Sequence, residues 1–202
     1  MNMTGYEQQI LKKMQEEQRC PVCALLEDLE FVILCHLQYD VSNNEDVRTA
    51  IVTAGGFCEF HFRRFRKLAN SRTNALLLMA LIRQYCEHDD DFQAHCRVCE
   101  RITFDEVRLL EALDSLLPRN DFRTVYEQGP GLCLCHMQKA QRATGSVEYR
   151  SWLGQCQITQ MTNILPLLQQ MVDRSYFDTT RDQRITIPYS VEKFVGRKAL
   201  GL

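Results

Sequence analysis

The stretch EDVRTAIVTAGGFCEFH, residues 45–61, lies over NDFRTVYEQGPGLCLCH, residues 120–136, and these two stretches decide the fold. Both carry an Asp, an Arg-Thr pair, a glycine turn and a terminal Cys-x-x-His. The matched positions are Asp46 and Asp121, Arg48 and Arg123, Thr49 and Thr124, and Gly56 and Gly131. Duplication explains this agreement better than chance does, so the chain is expected to contain an internal repeat.

A second motif precedes each stretch at nearly the same distance. CPVC occupies residues 20–23 and CRVC occupies residues 96–99. The sequence therefore predicts two tandem pseudo-repeats of helices. The expected organisation is an N-terminal helix at 1–19, a first repeat at 20–95, a second repeat at 96–174, and a tail at 175–202 packed on the body.

Apolar residues recur at helical spacing in both repeats. One such face extends over residues 25–37 and includes Val32. The other begins at Val107 and ends before Pro118. Each of these helices is expected to start at the second cysteine of its Cys-x-x-Cys, and each Cys-x-x-His lies in the first turn of a later helix. Further helices are expected over residues 74–86 and 148–174, the latter kinked at Pro166. No strand-like alternation of useful length is present, so the predicted fold is all-α.

The four cysteine and histidine pairs predict metal binding. Three thiolates and one imidazole form the closed tetrahedral Cys3His set of structural zinc sites. We expect one site to clip each repeat at its base, and hence two Zn²⁺ per chain. The expected ligands are Cys20, Cys23, Cys58 and His61 in the first repeat, and Cys96, Cys99, Cys133 and His136 in the second. An iron–sulfur cluster is the alternative cofactor.

Other cysteines and histidines have simpler interpretations. Cys135 offers a thiol that competes with Cys133; burial as a small apolar side chain is the simpler interpretation, and ligand exchange or redox sensing is the alternative. His95 is expected in an exposed loop, with a supporting or spare ligand as the alternative. Core packing is expected for the residues within apolar helical runs, which are Cys35, His36, Cys86 and Cys156.

Composition limits the compartment and the partners. With 24 basic and 26 acidic residues, the chain has no overall attraction to nucleic acid or to anionic membranes. The first residues lack the pattern of a secretory signal, and no stretch approaches the roughly 20 apolar residues of a membrane span. Ten cysteines are many for the cytoplasm, where reducing thiol pools keep disulfides open, and metal ligation accounts for them. We therefore expect a cytoplasmic protein.

The motifs resemble those of an uncharacterised bacterial family, a domain of unknown function. Its members are mostly helical proteins of about this length with CPxC, then GFCxxH, then a second CxxC followed by GLCxxH. Here these motifs are residues 20–23, 56–61, 96–99 and 131–136, and the resemblance extends from about Cys20 into the tail. It supports the ligand assignment and implies no established activity.

The sequence gives little support for catalysis, although it does not decide whether the protein is an enzyme. It would need an open metal position or an activated nucleophile, and four protein ligands per site leave neither. The Cys-x-x-Cys pairs also lack the βαβ context of thioredoxin-like motifs.

A binding function fits the sequence better. Residues 61–72, HFRRFRKLANSR, alternate basic and aromatic side chains as single-strand nucleic-acid binders do, but at helical spacing Phe62 and Phe65 face the core. We expect a zinc-binding, non-catalytic helical scaffold or accessory protein that acts through protein partners. The alternative is an iron–sulfur or thiol-based redox or metal sensor, and nucleic-acid binding is the lesser alternative.

Overall fold

The computed structural model describes residues 5–87, 95–173, 190–194 and 196, and every regular element within these ranges is a helix. The helices are α1 (Gly5–Glu16), α2 (Pro21–Asn43), α3 (Glu45–Thr53), α4 (Glu59–Leu68), α5 (Ser71–Glu87), α6 (Arg97–Leu116), α7 (Asn120–Gln128), α8 (Leu134–Ala143), α9 (Val147–Thr162) and α10 (Leu165–Asp173). A further helical turn covers residues 190–194. The predicted all-α class is confirmed. None of the helices described here has the length and apolar character that crossing a bilayer requires.

The cysteine motifs lie at the starts of four helices. α2 and α6 begin directly after Cys20 and Cys96, two residues earlier than predicted. Pro21 fits the first position of α2, because its fixed φ suits a helix and no backbone N–H is needed there. Cys58 and Cys133 are the N-cap residues of α4 and α8, so the prediction that each Cys-x-x-His opens a helix is confirmed.

The glycine turn after α3 ends the helix in the way the sequence predicts. Gly55 and Gly56 have φ angles of 77° and 85°, a backbone region that residues with a Cβ rarely adopt. Their N–H groups donate to the carbonyls of Val52 and Ile51 at 2.9 and 2.8 Å. These two hydrogen bonds form a Schellman motif, which satisfies carbonyls at the helix end and turns the chain sharply toward Cys58.

The chain divides into two compact units. The middle unit comprises residues 26–105, and the terminal unit comprises residues 1–25 together with 106–202. Both boundaries fall inside helices, α2 and α6, so the units are divided differently from the repeats predicted at residues 20–95 and 96–174.

The core of the middle unit forms around α4 and the loop before it. Phe65 is fully buried and its ring lies 5.2 Å from that of Phe57. α3 packs against α5, and Leu81 of α5 contacts the backbone at Gly56, where an added Cβ would lie 3.2 Å away. The buried apolar side chains of this core are Leu34, Val41, Ile51, Val52, Phe57, Phe65, Ala69, Leu77, Cys96 and Val98. The interpretation of Phe65 as a core residue is therefore confirmed.

The terminal unit holds its cysteine loop through α9. α8 packs on α9, and α1 packs on α7. Gln160 of α9 donates to the carbonyls of Tyr126 and Gly129 at 3.2 and 3.4 Å. Tyr126 is fully buried, with its ring 5.1 Å from that of Trp152. These contacts fix residues 129–133, which carry the chain from α7 into Cys133.

The long helix predicted over residues 148–174 is two helices. α9 ends at Thr162 and α10 begins at Leu165. Pro166 therefore lies in the first turn of α10, where its missing N–H removes no helix hydrogen bond. A break replaces the predicted kink.

Several side chains assigned to buried helix faces are exposed. His36, Cys86 and Cys135 are exposed, and Val32 and Val107 are about half exposed. Those assignments are wrong because these helices are apolar on more than one side, and spacing alone does not say which side faces the core. Cys35 and Cys156 are half-buried.

Candidate metal centres

The eight predicted ligands gather into two clusters. Within each cluster the candidate ligand atoms all lie within 4.8 Å of one another, and each cluster could hold a metal ion. We name the clusters by their order in the sequence, because the residues of one flank those of the other. The outer cluster consists of Cys20, Cys23, Cys133 and His136, and the inner cluster consists of Cys58, His61, Cys96 and Cys99. Each set contains three cysteines and one histidine. The outer cluster lies wholly in the terminal unit and the inner cluster wholly in the middle unit.

The predicted pairing of the ligand pairs is wrong. Each Cys-x-x-His joins the Cys-x-x-Cys of the other repeat, so that Cys58 and His61 meet Cys96 and Cys99. Helix length is the physical reason. α2 has 23 residues and α3 has 9, which correspond to about 34 and 14 Å at 1.5 Å per residue. α3 is too short to bring residue 58 back to the start of α2. The helices α6 and α7 of the second repeat are just as unequal in length, with 20 and 9 residues.

A backbone hydrogen bond holds the two halves of the inner cluster together. The N–H of His95 donates to the carbonyl of Ala54 at 2.8 Å. This bond joins the residue before Cys96 to the end of α3, shortly before Cys58. The side chain of His95 is exposed and lies 3.5 Å from Glu100, as expected for a loop histidine.

The distances within the outer cluster match a tetrahedral site. The sulfurs of Cys23 and Cys133 are 3.7 Å apart. Nδ1 of His136 lies 3.4, 3.3 and 3.2 Å from the sulfurs of Cys20, Cys23 and Cys133. Bonds of about 2.3 Å to sulfur and about 2.0 to 2.1 Å to nitrogen around one Zn²⁺ give edges of about 3.8 and 3.6 Å. A disulfide, at about 2.05 Å, is far shorter than any of these separations.

The inner cluster repeats this geometry. The sulfurs of Cys58 and Cys99 are 3.6 Å apart. Nδ1 of His61 lies 3.2, 3.4 and 3.2 Å from the sulfurs of Cys58, Cys96 and Cys99. Both histidines therefore present the same ring nitrogen to three sulfurs, and all ten cysteines of the chain are free thiols.

A carboxylate lies behind each histidine. Nε2 of His136 donates to Glu106 at 2.9 Å, and Nε2 of His61 lies 3.7 Å from Glu30. Each carboxylate also contacts a basic side chain one helical turn after its histidine: Glu106 accepts from Lys139 at 2.6 Å, and Glu30 pairs with Arg64 at 2.9 Å. Such carboxylates fix the ring orientation of ligating histidines and make the ligating nitrogen more basic.

These supporting groups were missed in the sequence although their spacing is regular. Glu30 and Glu106 each follow the second cysteine of a Cys-x-x-Cys by two helical turns, on α2 and α6. Arg64 and Lys139 each follow the histidine of a Cys-x-x-His by one turn. A comparison of the two repeats that included residues other than the ligands would therefore have identified these four side chains.

The electrostatics of the outer cluster favour a bound cation. Burial, together with the neighbouring thiols, raises the pKa of Cys20 well above its ordinary value. Hydrogen bonds with Cys20 and Cys23, aided by His136, lower the pKa of Cys133. Burial disfavours a charged His136, but its bonds to Cys133, Cys23 and Glu106 outweigh this effect and raise its pKa to about 12. Crowded thiols ionise together only when a positive charge lies among them, and either a protonated His136 or a metal ion can supply that charge.

Similar forces act on the inner cluster and on the carboxylate of the outer one. Burial, followed by the nearby thiols of Cys58 and Cys96, raises the pKa of Cys99 to about 12. The hydrogen bond from His136, with help from Lys139 and against burial, lowers the pKa of Glu106 to about 2. Glu106 is therefore a carboxylate at neutral pH and holds the proton of His136 on Nε2.

Gly196 lies against the outer cluster. Gly196 has a φ of 68°, and a Cβ added there would lie 3.1 Å from the sulfur of Cys133 and 3.7 Å from that of Cys23. Lys193 is buried and donates to the carbonyl of Pro130 and, at 2.8 Å, to Gln160. Burial lowers the pKa of Lys193 to about 8, although Cys20 and Cys133 favour its charge. Most of the tail predicted at residues 175–202 lies outside the described residues.

The basic stretch at residues 61–72 belongs partly to the inner cluster. His61 is one of the four ligands, and Arg64 pairs with Glu30. Arg63 pairs with Glu59 at 2.6 Å on the exposed side of α4. Two of its arginines therefore already have acidic partners.

Fold and clusters together define an all-α protein with two Cys3His-type sites that could hold metal ions. Residues 1–92 match a family of unknown function, DUF6062, so the resemblance to an uncharacterised family is confirmed over that part of the chain. The matched part contains CPVC and GFCEFH, that is, one half of each cluster. No curated protein matches the chain, and no solved structure matches it.

Proposed function

We propose that the protein is a zinc-binding, non-catalytic helical scaffold or accessory protein, with one Zn²⁺ in the outer cluster and one in the inner cluster. The observation that carries this proposal is the doubled ligand set, in which three sulfurs and one Nδ1 converge with a carboxylate behind the histidine. Structural zinc sites use this closed set of four ligands.

The spacing of the ligand atoms supports zinc over an iron–sulfur cluster. The ligand atoms of each set lie within 4.8 Å of one another, which leaves space for one ion at the centre. A cluster of several irons and sulfides would have to push the four ligands apart. Bound zinc contributes about 10 to 16 kcal/mol in finger peptides, which is comparable with the whole stability of a domain. Each ion would therefore stabilise the unit that contains it.

A scaffold role is supported by the closure of both sites. Four protein ligands leave no position at which a substrate or water could be activated. The outer cluster is buried at all four residues, which further separates it from solvent.

Protein partners are supported by exposed apolar side chains on α5. Leu78, Ile82 and Tyr85 recur at helical spacing and are about half exposed, and surfaces of this kind are typical of interaction sites. The basic stretch on α4, by contrast, already pairs two arginines with carboxylates, which weakens the nucleic-acid alternative. A cytoplasmic location is supported by ten free cysteines.

Metal analysis tests the proposal directly. Protein purified without added metal or chelator is analysed by plasma mass spectrometry, and its absorption spectrum is recorded. We expect about two equivalents of zinc and no visible colour. The matched variant Cys135→Ser, which changes an exposed thiol outside both clusters, should keep both equivalents. Iron with visible absorption would establish the iron–sulfur alternative, and metal-free folded protein would refute metal binding.

A further inference from the structure

The two clusters differ in their exposure to solvent. All four residues of the outer cluster are buried, and Gly196 lies against two of its sulfurs. In the inner cluster His61 and Cys96 are buried, whereas Cys58 and Cys99 are only partly buried. The inner cluster is therefore the more accessible of the two to a small reagent in solution.

The two partly buried cysteines of the inner cluster are also neighbours. The sulfur of Cys58 lies 3.6 Å from that of Cys99. Cys58 caps α4 and Cys99 lies in the first turn of α6, so both side chains start from helix ends. An approach of about 1.6 Å would bring the two sulfurs to the disulfide distance of about 2.05 Å.

We propose that the inner cluster is a peroxide-sensitive switch, in which oxidation joins Cys58 to Cys99 and releases the ion of that cluster, while the outer cluster retains its ion. This inference rests on the proposed function, since it requires an ion in each cluster. It assigns different roles to two sites of the same ligand composition: permanent bracing to the outer site, and regulated release to the inner one.

The chemistry balances with hydrogen peroxide as the oxidant. One thiolate attacks a peroxide oxygen, the O–O bond breaks, and a sulfenic acid and hydroxide form. The second thiolate attacks the sulfenic sulfur, the S–O bond breaks, and a disulfide and another hydroxide form. Two protons convert the two hydroxides to water. Two thiolates have lost two electrons to the peroxide, and the ion has lost two of its four ligands.

The two exposed thiols outside the clusters compete most directly for the oxidant and must be removed, whereas the half-buried Cys35 and Cys156 stay in place and are followed in the disulfide map. Cys86 and Cys135 are exposed and belong to neither cluster. The test therefore uses the full-length Cys86→Ser/Cys135→Ser variant, whose metal content is measured first. Hydrogen peroxide is then added in steps, released zinc is followed with a metallochromic dye, and disulfides are mapped by mass spectrometry after alkylation of the remaining thiols.

We expect one of two equivalents to leave at least 10-fold faster than the other, together with a Cys58–Cys99 disulfide. Treatment with dithiothreitol and Zn²⁺ should restore the second equivalent. Release of both equivalents at equal rates, release of neither, or a disulfide that contains Cys20, Cys23 or Cys133 would overturn the switch and leave two-site metal binding intact. Protein that holds no metal before oxidation would overturn both proposals.

Discussion

His136 donates its Nε2 proton to Glu106 at 2.9 Å and directs Nδ1 at three cysteine sulfurs. When a cation displaces the proton from Nδ1, the carboxylate keeps the other proton on Nε2 and so selects Nδ1 as the nitrogen that binds. A similar but looser arrangement recurs in the inner cluster, where Nε2 of His61 lies 3.7 Å from Glu30. Each metal centre therefore includes a carboxylate that supports the ligating histidine without itself touching an ion.

Replacement of Glu106 by Gln should weaken the outer site selectively. The amide can still accept a hydrogen bond but has no charge to make the imidazole a stronger ligand, so we expect about a 10-fold or greater loss of zinc affinity at one of the two sites. Competition with a coloured chelator measures both affinities. Glu111→Gln changes an exposed carboxylate on the same helix and is expected to alter neither. Equal weakening of both sites would contradict this role of Glu106.

Paired cysteine variants should report the exchanged arrangement of the ligands. Cys20→Ser combined with Cys133→Ser removes two ligands of one cluster, so about one equivalent of zinc should remain. Cys20→Ser combined with Cys58→Ser removes one ligand from each cluster, so metal content should fall toward zero. Pairing within each repeat predicts the opposite for the second combination, because Cys20 and Cys58 would then share a site. Metal content per folded chain, measured after gel filtration, decides between the two arrangements.

The identity of the ligands could be predicted from the sequence because it is local information. A Cys-x-x-Cys or Cys-x-x-His at a helix start brings its two side chains together whatever the rest of the chain does. The choice of partner pair is not local. It depends on where α2 ends, and no glycine or proline marks Asn43 as its last residue. Without that length, the prediction joined the two ligand pairs of each repeat, whereas the structure joins pairs from different repeats.

The exposed thiols show the same limit. Cys86 lies in an apolar run that predicts burial, yet α5 turns Leu78, Ile82 and Tyr85 outward as well. Spacing identifies a helix with an apolar face, and contacts distant in sequence decide which face is covered. The carboxylates behind the histidines are a different case. Both recur at the same place in each repeat, so they were accessible to a fuller comparison.

Gly196→Ala should loosen the cover of the outer cluster. The new methyl group would meet the sulfur of Cys133 at 3.1 Å, and the backbone has a positive φ that alanine rarely adopts. We expect zinc to leave this site about 10-fold faster, with the inner site unaffected. Gly145→Ala is the matched control, because a Cβ there has nothing within 4 Å. Dissociation rates in excess chelator provide the readout, and unchanged rates in Gly196→Ala would contradict the covering role.

The basic partners of the two carboxylates should differ in their contribution to stability. Arg64 pairs with Glu30, whose side chain is 3% exposed, whereas Lys139 pairs with Glu106, whose side chain is 14% exposed. Arg64→Met should destabilise the chain by about 3 kcal/mol, since one member of a buried pair is removed. Lys139→Met should cost at most about 1 kcal/mol, because Lys139 is itself 39% exposed. Thermal melts of the zinc-loaded variants compare the two, and a larger effect from Lys139→Met would reverse this ranking.

The exchanged pairing places the whole inner set, residues 58–99, between the two halves of the outer set, residues 20–23 and 133–136. During synthesis the ribosome therefore delivers a complete inner site first. The first two cysteines of the chain must wait for their partners while about 110 further residues are added, which takes about 6 to 22 s at roughly 5 to 20 residues per second. A nascent chain thus carries CPVC as an open thiol pair in the cell for that interval. Under the proposed function, the order of translation would set the order of metal loading, with the covered site filled last.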